Sequence, residues 1–184
     1  MATMWRATVL LLGLLAGAAQ AAPLPLQRGV NIHEWLNWSP LAADGSYRWP
    51  PYQSVEAWLA QSRPASDWPT SDPLADVRAL GFDYVRLTVD PGPLLASQGA
   101  RRAEALAVLS DAVRKLLAAD LRVVFNLHSV SQVPQYGPDV VNAPAGAASV
   151  AGYIAMVADV AGMLAPLGAD QVAIEPYNEP AHYP

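Results

Sequence analysis

The chain has 184 residues, which is enough for one domain with a buried core. Hydrophobic residues make up 53% of it and charged residues 15%, and this composition excludes an intrinsically disordered protein. The net charge of −5 argues against nucleic acid or an anionic membrane surface as a partner, and the absence of cysteine excludes disulfides and thiolate metal sites.

Residues 1–21 have the pattern of a secretory signal peptide. Arg6 supplies the positive charge, residues 7–19 form an apolar run too short to span a membrane, and Ala19-Gln20-Ala21 fits the cleavage rule. We therefore expect residues 22–184 to be secreted, into the periplasm or the medium of a bacterium, with no membrane attachment after cleavage.

Residues 27–33 predict the first strand, and residues 34–70 predict a long loop with a short helix over 55–60. This loop carries all five tryptophans that follow the signal: Trp35, Trp38, Trp49, Trp58 and Trp68. Indole faces stack well on sugar rings, but such rings also form the small core of a long loop. We expect at least half of these tryptophans to pack in the small core of the loop.

A helix begins at Asp72, as N-cap, and Pro73, and it ends at Gly81. Its predicted apolar face has three members: Leu74, Val77 and Leu80. Residues 82–89 then form the second strand, and residues 90–93 turn the chain.

The clearest helix covers residues 101–119, with an apolar stripe of Leu106, Leu109, Val113, Leu116 and Leu117. Residues 121–128 form the third strand, whose apolar run is typical of a strand buried on both faces. Residues 134–144 predict a loop. The next helix ends at Pro166, and the last strand covers residues 172–180. That helix has a predicted stripe of Val150, Ile154, Val157, Ala161 and Leu164.

Polar side chains collect where these strands end: Arg86, His128, Asn178 and Glu179. A carboxylate at the end of a buried strand is costly unless it has partners or a task there, and we interpret Glu179 as a catalytic acid/base. The alternative is a solvated Glu in a loop. Asn178 offers a donor and an acceptor for hydroxyl groups, and a buried Arg86 needs a carboxylate partner.

Four alternations of strand and helix predict parallel βα units, as in a (β/α)8 barrel or a doubly wound sheet. Both folds place ligands at the C-terminal strand ends. The chain has no Gly-rich phosphate turn, no serine-hydrolase elbow and no metal-ligand spacing among its three histidines. We therefore expect neither a cofactor nor a metal.

Four segments together resemble glycoside hydrolase family 5, the cellulase-type retaining glycosidases. They are residues 28–31 (Arg-Gly-Val-Asn), 81–86 (Gly-Phe-Asp-Tyr-Val-Arg), 123–128 and 175–180 (Glu-Pro-Tyr-Asn-Glu-Pro). The resemblance implies an α/β fold, the (β/α)8 TIM barrel, of which this chain carries about the first four βα units. It also implies hydrolysis of a β-linked polysaccharide.

The resemblance also assigns roles to residues. It implies that Glu179 is the general acid/base, that Asn178 binds the sugar 2-hydroxyl, and that Arg86 orders the carboxylates. His128 lines the subsite at the cleavage point, and we assign Trp35 and His33 to substrate binding as well.

The family's nucleophile is a second Glu on strand seven, which this chain does not contain. Glu175 lies about 13 Å from Glu179 along the strand and is expected in the barrel interior, and Asp90 is the other nearby carboxylate. We therefore expect residues 22–184 to be the N-terminal part of a barrel truncated after strand four. The alternative is a non-catalytic carbohydrate-binding protein. Which β-glycan is bound, and the oligomeric state, stay open.

Overall fold

The computed structural model describes residues 24–62, 73–144 and 146–179. The expected signal peptide (residues 1–21), the expected N-cap Asp72, Trp68 and residues 180–184 lie outside these ranges.

Four strands form one parallel sheet in the order β1-β2-β3-β4. Their bounds are Gly29–Leu36 (β1), Tyr84–Val89 (β2), Arg122–Leu127 (β3) and Val172–Glu175 (β4). Each strand pairs with the next one along the chain, as the alternation of strands and helices predicts. The prediction for β4 was too long: the strand ends at Glu175, so Asn178 and Glu179 lie in the segment that follows it.

Helices connect the strands: α1 (Val55–Ser62), α2 (Pro73–Ala79), α3 (Gly92–Leu95), α4 (Gly99–Ala118), α5 (Asp139–Asn142) and α6 (Ala148–Leu164). The turn expected after β2 contains the short helix α3. The loop expected over 134–144 contains α5 and a 3₁₀ turn at Pro134–Tyr136, and a second 3₁₀ turn at Ala165–Leu167 follows α6.

Strand β1 is irregular in its second half. Ile32 pairs with Leu87 and the next pair is Leu36 with Val89, so four residue steps in β1 (32 to 36) face two in β2 (87 to 89). Such a bulge interrupts the in–out alternation of side chains and re-aims them. The orientation of His33 and Trp35 therefore does not follow from the strand pattern.

The core lies between the sheet and helices α4 and α6. Alternate residues of the two central strands are fully buried: Val85, Leu87, Val89, Val123, Phe125 and Leu127. On α4, Leu109, Val113 and Leu116 are fully buried as predicted, and Leu106 and Leu117 pack at the margin of the core.

The predicted inward face of α6 was right only in part: Leu164 is buried and Val157 packs against the core, but Ile154 and Ala161 are exposed. Its buried residues are Tyr153, Met156, Val160 and Leu164, whereas Ile154 is 64% exposed. Because nearly every residue of α6 is apolar, helical spacing alone does not distinguish one face from another. Leu80 was also misplaced: it follows the end of α2 and is 67% exposed.

Two glycines are required by their surroundings. Gly81 adopts a φ of +86° just after α2, which confirms its predicted role in ending that helix. At Gly29, a Cβ atom would lie 2.1 Å from the ring of Tyr84, so the first strand approaches the second too closely for any side chain there.

Candidate active site

The C-terminal edge of the sheet brings together side chains from all four strands and the segments that follow them. Arg86 is the third residue of β2, Glu175 is the last residue of β4, and His128 follows β3 directly. The backbone N–H of His128 donates to Val89 at 2.8 Å, and that of Asn178 donates to Leu127 at 3.0 Å. These bonds continue the parallel ladder beyond the strand ends. They hold the backbone of His128 and Asn178 beside β2 and β3, in one row of polar residues with Arg86, Glu175 and Glu179.

Arg86 forms a two-pronged ion pair with Glu175. Its Nε lies 2.7 Å from Oε2 of Glu175, and its Nη2 lies 2.6 Å from Oε1. Both side chains are about one-third exposed. The hydrogen bond to Glu175 is the main reason that the pKa of Arg86 is raised above its ordinary value. The expectation that Arg86 needs a carboxylate partner is confirmed, and the partner is Glu175.

The same Arg86 nitrogen fixes the orientation of Asn178. Nη2 donates to Oδ1 of Asn178 at 2.8 Å. A guanidinium only donates hydrogen bonds, so the amide oxygen of Asn178 must face it. The Nδ2 group of Asn178 then points away from Arg86, as a donor for a ligand hydroxyl.

His33 and His128 meet at this edge. Their ring centroids lie 5.4 Å apart with an interplanar angle of 71°. Burial is the main reason that the pKa of His128 is lowered, and the neighbouring His33 and Arg86 lower it further. The negative charges of Glu179 and Glu175 raise this pKa, but by less. Nδ1 of His128 is buried and has no hydrogen-bond partner in the described part of the chain.

Glu179 stands at the end of this row in a strained backbone conformation. Its φ is +49°, in the left-handed region, which costs a non-glycine residue on the order of 1–3 kcal/mol. Its side chain is exposed, and its charge acts on both Arg86 and His128. Strain of this kind collects at functional sites, because the surrounding structure must hold it in place.

The structure separates the tryptophans into core and surface rings. Trp35 is only 3% exposed, stacks on Trp58 at 4.4 Å between ring centroids, and donates from Nε1 to the Gln53 carbonyl at 3.0 Å. We therefore correct the assignment of Trp35: its ring has no free face for a sugar. Trp49 packs against the core and bonds Glu104, whereas Trp38 is 53% exposed.

Asp90 is a buried carboxyl group whose environment the sequence did not reveal. It is fully buried at the end of β2, where Oδ1 accepts from the Gly92 N–H at 2.8 Å. The Tyr47 hydroxyl lies close by without the alignment of a full hydrogen bond, and Tyr52 donates to the Asp90 carbonyl at 2.6 Å. Burial raises the pKa of Asp90 to about 7. The one feature of the sequence that pointed to a buried Asp90 was its position directly after an apolar strand.

Metal-ligand geometry is not found in this region. Within residues 24–62, 73–144 and 146–179, no group of three or more His, Asp or Glu side chains is placed to hold a metal ion. The site therefore consists of an ion pair, an oriented amide, two imidazoles and an exposed carboxylate. Together these groups can bind hydroxyls and transfer a proton.

Comparison with known proteins gives one result at the level of the fold. The chain is similar to a family 5 xyloglucanase from Paenibacillus pabuli, solved with a ligand, with a TM-score of 0.57 and 22% sequence identity. The match covers 86% of this chain and 41% of that one, so the chain spans less than half of the xyloglucanase. No protein-family model matches the chain, and no curated protein matches it either. The mixed α/β fold with its parallel sheet is thus similar to part of a family 5 glycosidase.

Proposed function

We propose that this chain is the acid/base-bearing part of a secreted, retaining β-glycosidase of the family 5 type. The single observation that carries the proposal is the row formed by Arg86, Glu175, Asn178 and Glu179 at the C-terminal edge of a parallel sheet. The likeness in fold to a xyloglucanase supports a glycosidase.

Each member of the row has a task in this proposal. Glu179 protonates the glycosidic oxygen as the bond to the leaving sugar breaks, and it then accepts a proton from the water that releases the second product. Asn178, oriented by Arg86, donates from Nδ2 to a hydroxyl of the sugar at the cleavage point. The surroundings of His128 lower its pKa and favour the neutral imidazole, whose Nε2 can either donate to or accept from a sugar hydroxyl, since Nδ1 is buried.

We infer that the nucleophile lies outside the described residues 24–62, 73–144 and 146–179. A retaining pair of carboxyl groups lies about 5–5.5 Å apart, on opposite faces of the scissile bond. Glu175 does not fit this role, because Arg86 holds both of its oxygens. Asp90 is fully buried beneath the loops. We infer that a carboxylate on a further part of the barrel completes the pair.

The exposed surfaces around β4 support the inference that a further part of the barrel packs there. Every residue of β4 is only half-buried, in contrast to the fully buried alternate residues of β2 and β3. Beside it, the apolar stretch Ala148–Leu167 is mostly uncovered, with Ile154 at the surface. By length and composition this stretch would also suit a membrane span, as many core helices do. In a closed (β/α)8 barrel the next strand and helix would cover both surfaces.

The mutation Glu179→Gln tests the proposal in the complete native protein. We expect loss of glycan hydrolysis, with much smaller loss in kcat/KM on an aryl glycoside whose leaving group needs no protonation, although kcat on that substrate also falls because the second step lacks its base. The matched control is Glu56→Gln, on the surface of α1. Unchanged glycan turnover in Glu179→Gln contradicts the assignment of the acid/base.

A non-catalytic glycan-binding protein is the second candidate, favoured by the exposed Trp38. It predicts binding of polysaccharide without release of reducing ends. Release of reducing ends by the native protein eliminates it.

A further inference from the structure

The segment that carries Glu179 begins at Pro176, directly after the end of β4. A proline has no N–H to continue the ladder with β3, so its carbonyl is the only hydrogen-bonding group of its backbone. The ladder resumes two residues later, where the Asn178 N–H donates to the Leu127 carbonyl at 3.0 Å. Pro176 and Tyr177 thus lie between two points that the sheet holds, and their own contacts decide how the chain reaches Glu179.

Tyr153 of α6 makes the contact with Pro176. Its hydroxyl donates to the Pro176 carbonyl at 2.8 Å, and the residue is only 4% exposed. Burial is the main reason that the pKa of Tyr153 is raised above its ordinary value, so the hydroxyl keeps its proton and stays a donor. The ring itself belongs to the hydrophobic core. The bond therefore joins a packed helix to the carbonyl three residues before Glu179.

Tyr177 makes the second contact of the segment. Its hydroxyl donates to the Pro138 carbonyl at 3.1 Å, just before α5. Its ring meets that of Tyr153 edge to face, with 5.9 Å between the ring centroids and an interplanar angle of 77°. Such aromatic pairs stabilise a structure beyond the area that they bury. The two tyrosines thus support each other and hold the segment from α6 and from the loop before α5.

The backbone of Glu179 depends on this support. Its φ of +49° is unfavourable for a residue with a Cβ atom, and it persists only where the surroundings fix the chain. The side chain of Glu179 is exposed, so core packing does not fix its direction. That direction is set by the backbone that leads to it. Misplacing a proton donor by about 1 Å can lower a rate by a factor of about a hundred.

We propose that Tyr153 is a positioning residue for the acid/base. By holding the Pro176 carbonyl, it keeps the carboxyl group of Glu179 directed at the glycosidic oxygen, and Tyr177 supports the same segment. The inference rests on the proposed function and deepens it, because it extends the site to helix α6 without any contact between Tyr153 and the substrate. Loss of the Tyr153 hydroxyl therefore impairs protonation of the leaving group more than it impairs binding of the sugar.

The test is Tyr153→Phe in the complete native protein, which removes the hydroxyl and retains the ring. The substrates are aryl β-glycosides from dinitrophenyl to unsubstituted phenyl, and kcat/KM reports the step in which the leaving group departs. An unsubstituted phenol needs the proton of the acid, whereas dinitrophenolate leaves without it. We expect kcat/KM to fall about tenfold or more for the phenyl glycoside and less than about threefold for the dinitrophenyl glycoside.

The matched control is Tyr52→Phe. Tyr52 is 3% exposed and its hydroxyl donates to the Asp90 carbonyl at 2.6 Å, so this variant removes an equally buried bond from a tyrosine to the main chain. Both variants should lower the midpoint of urea unfolding, since each leaves a carbonyl without its partner. Only Tyr153→Phe should make kcat/KM depend more steeply on the leaving group. A second variant, Tyr177→Phe, removes the neighbouring bond and should steepen that dependence too.

The same substrates with Glu179→Gln separate this inference from the proposed function. If Glu179→Gln loses activity selectively on the phenyl glycoside and Tyr153→Phe does not, the positioning role is wrong and the acid/base assignment stands. If Tyr153→Phe fails to fold, the same comparison with Tyr177→Phe decides. If Tyr52→Phe shows the same selective loss as Tyr153→Phe, the effect reflects a weaker fold in general and the inference also fails. If Glu179→Gln shows no selectivity, both proposals fail.

Discussion

One nitrogen of Arg86 holds both Glu175 and Asn178. Nη2 lies 2.6 Å from Oε1 of Glu175 and 2.8 Å from Oδ1 of Asn178, and because Arg86 belongs to β2 it reaches across β3 to do so. The guanidinium therefore links the second strand to the segment that carries Asn178 and Glu179. Any change at Arg86 is expected to disturb the Asn178 amide, the proposed sugar-binding group.

Arg86→Lys tests this link. Lysine supplies one point charge instead of a planar fork, so it cannot bond both Glu175 oxygens and Asn178 at the observed angles. Since the pair is about one-third exposed, we expect a loss of about 1–2 kcal/mol in the free energy of unfolding, measured with urea, and at least a roughly tenfold fall in kcat/KM.

The control for that variant is Arg78→Lys. Arg78 pairs with Asp120 at 2.9 Å, with both side chains largely in solvent. Such a pair contributes about 0–1 kcal/mol, so Arg78→Lys should leave stability and activity near those of the native protein. Equal losses in the two variants would contradict a special role for Arg86.

Asp90 predicts a dependence of stability on pH. Burial raises the pKa of Asp90 to about 7 in the folded protein, while in the unfolded chain it stays near its ordinary value of 3.8. The folded state therefore binds the proton more tightly. Its contribution to stability is fully present below about pH 4 and is lost as pH rises through 7. The loss in the free energy of unfolding is on the order of 2–4 kcal/mol, and Asp90→Asn should remove it. Urea unfolding between pH 4 and 8 measures both.

The control is Asp111→Asn, on the exposed face of α4. It should retain the fall in stability between pH 4 and 7. If Asp90→Asn shows the same fall as the native protein, the buried carboxyl is not its source.

His33 contributes to keeping His128 neutral. His33→Phe preserves an aromatic ring beside His128 and removes the imidazole that lowers the pKa of His128. We expect the pKa of His128 to rise, as measured by NMR titration of its ring protons. The rise should be partial because burial, the largest cause of the lowered pKa, remains. A fall, or no change, would show that the two rings do not interact electrostatically.

Gly29→Ala tests the close packing of the first two strands. A Cβ at this position would lie 2.1 Å from the Tyr84 ring, so one of the two must shift, at a cost of about 1–3 kcal/mol in unfolding free energy. The second mutation Tyr84→Val should recover most of that loss when combined with Gly29→Ala. Without such recovery, the contact with Tyr84 is not the reason for glycine.

The order and type of the main elements could be predicted from the sequence, because alternating helical stripes and apolar strands leave few topologies. The fully buried Val123 and Phe125 of β3 fit the strand that the apolar run predicts. The row at the C-terminal edge was predictable for the same reason, since parallel strands place their ends together. Arg86, His128, Asn178 and Glu179 were therefore expected in one region.

Side-chain directions that depend on tertiary packing could not be predicted. The bulge between Ile32 and Leu36 turns the side chain of Trp35 into the core. No residue type in this segment predicts a bulge. Glu175 was expected in the barrel interior beneath the site, but its pairing with Arg86, two strands away in the sheet, was not predicted. Helix α6 has few polar residues, so its buried face depends on what packs against it.

The central claim is that Glu179 is the acid/base of a retaining glycosidase, and azide rescue of Glu179→Ala tests it most directly. The measurement is made on the complete native protein, with an activated aryl β-glycoside as substrate and NMR to identify the product. The account predicts that azide restores turnover and that the product is a β-glycosyl azide, because azide then attacks the glycosyl-enzyme from the face that the missing carboxylate served. An α-glycosyl azide, or no rescue, would contradict the assignment of Glu179.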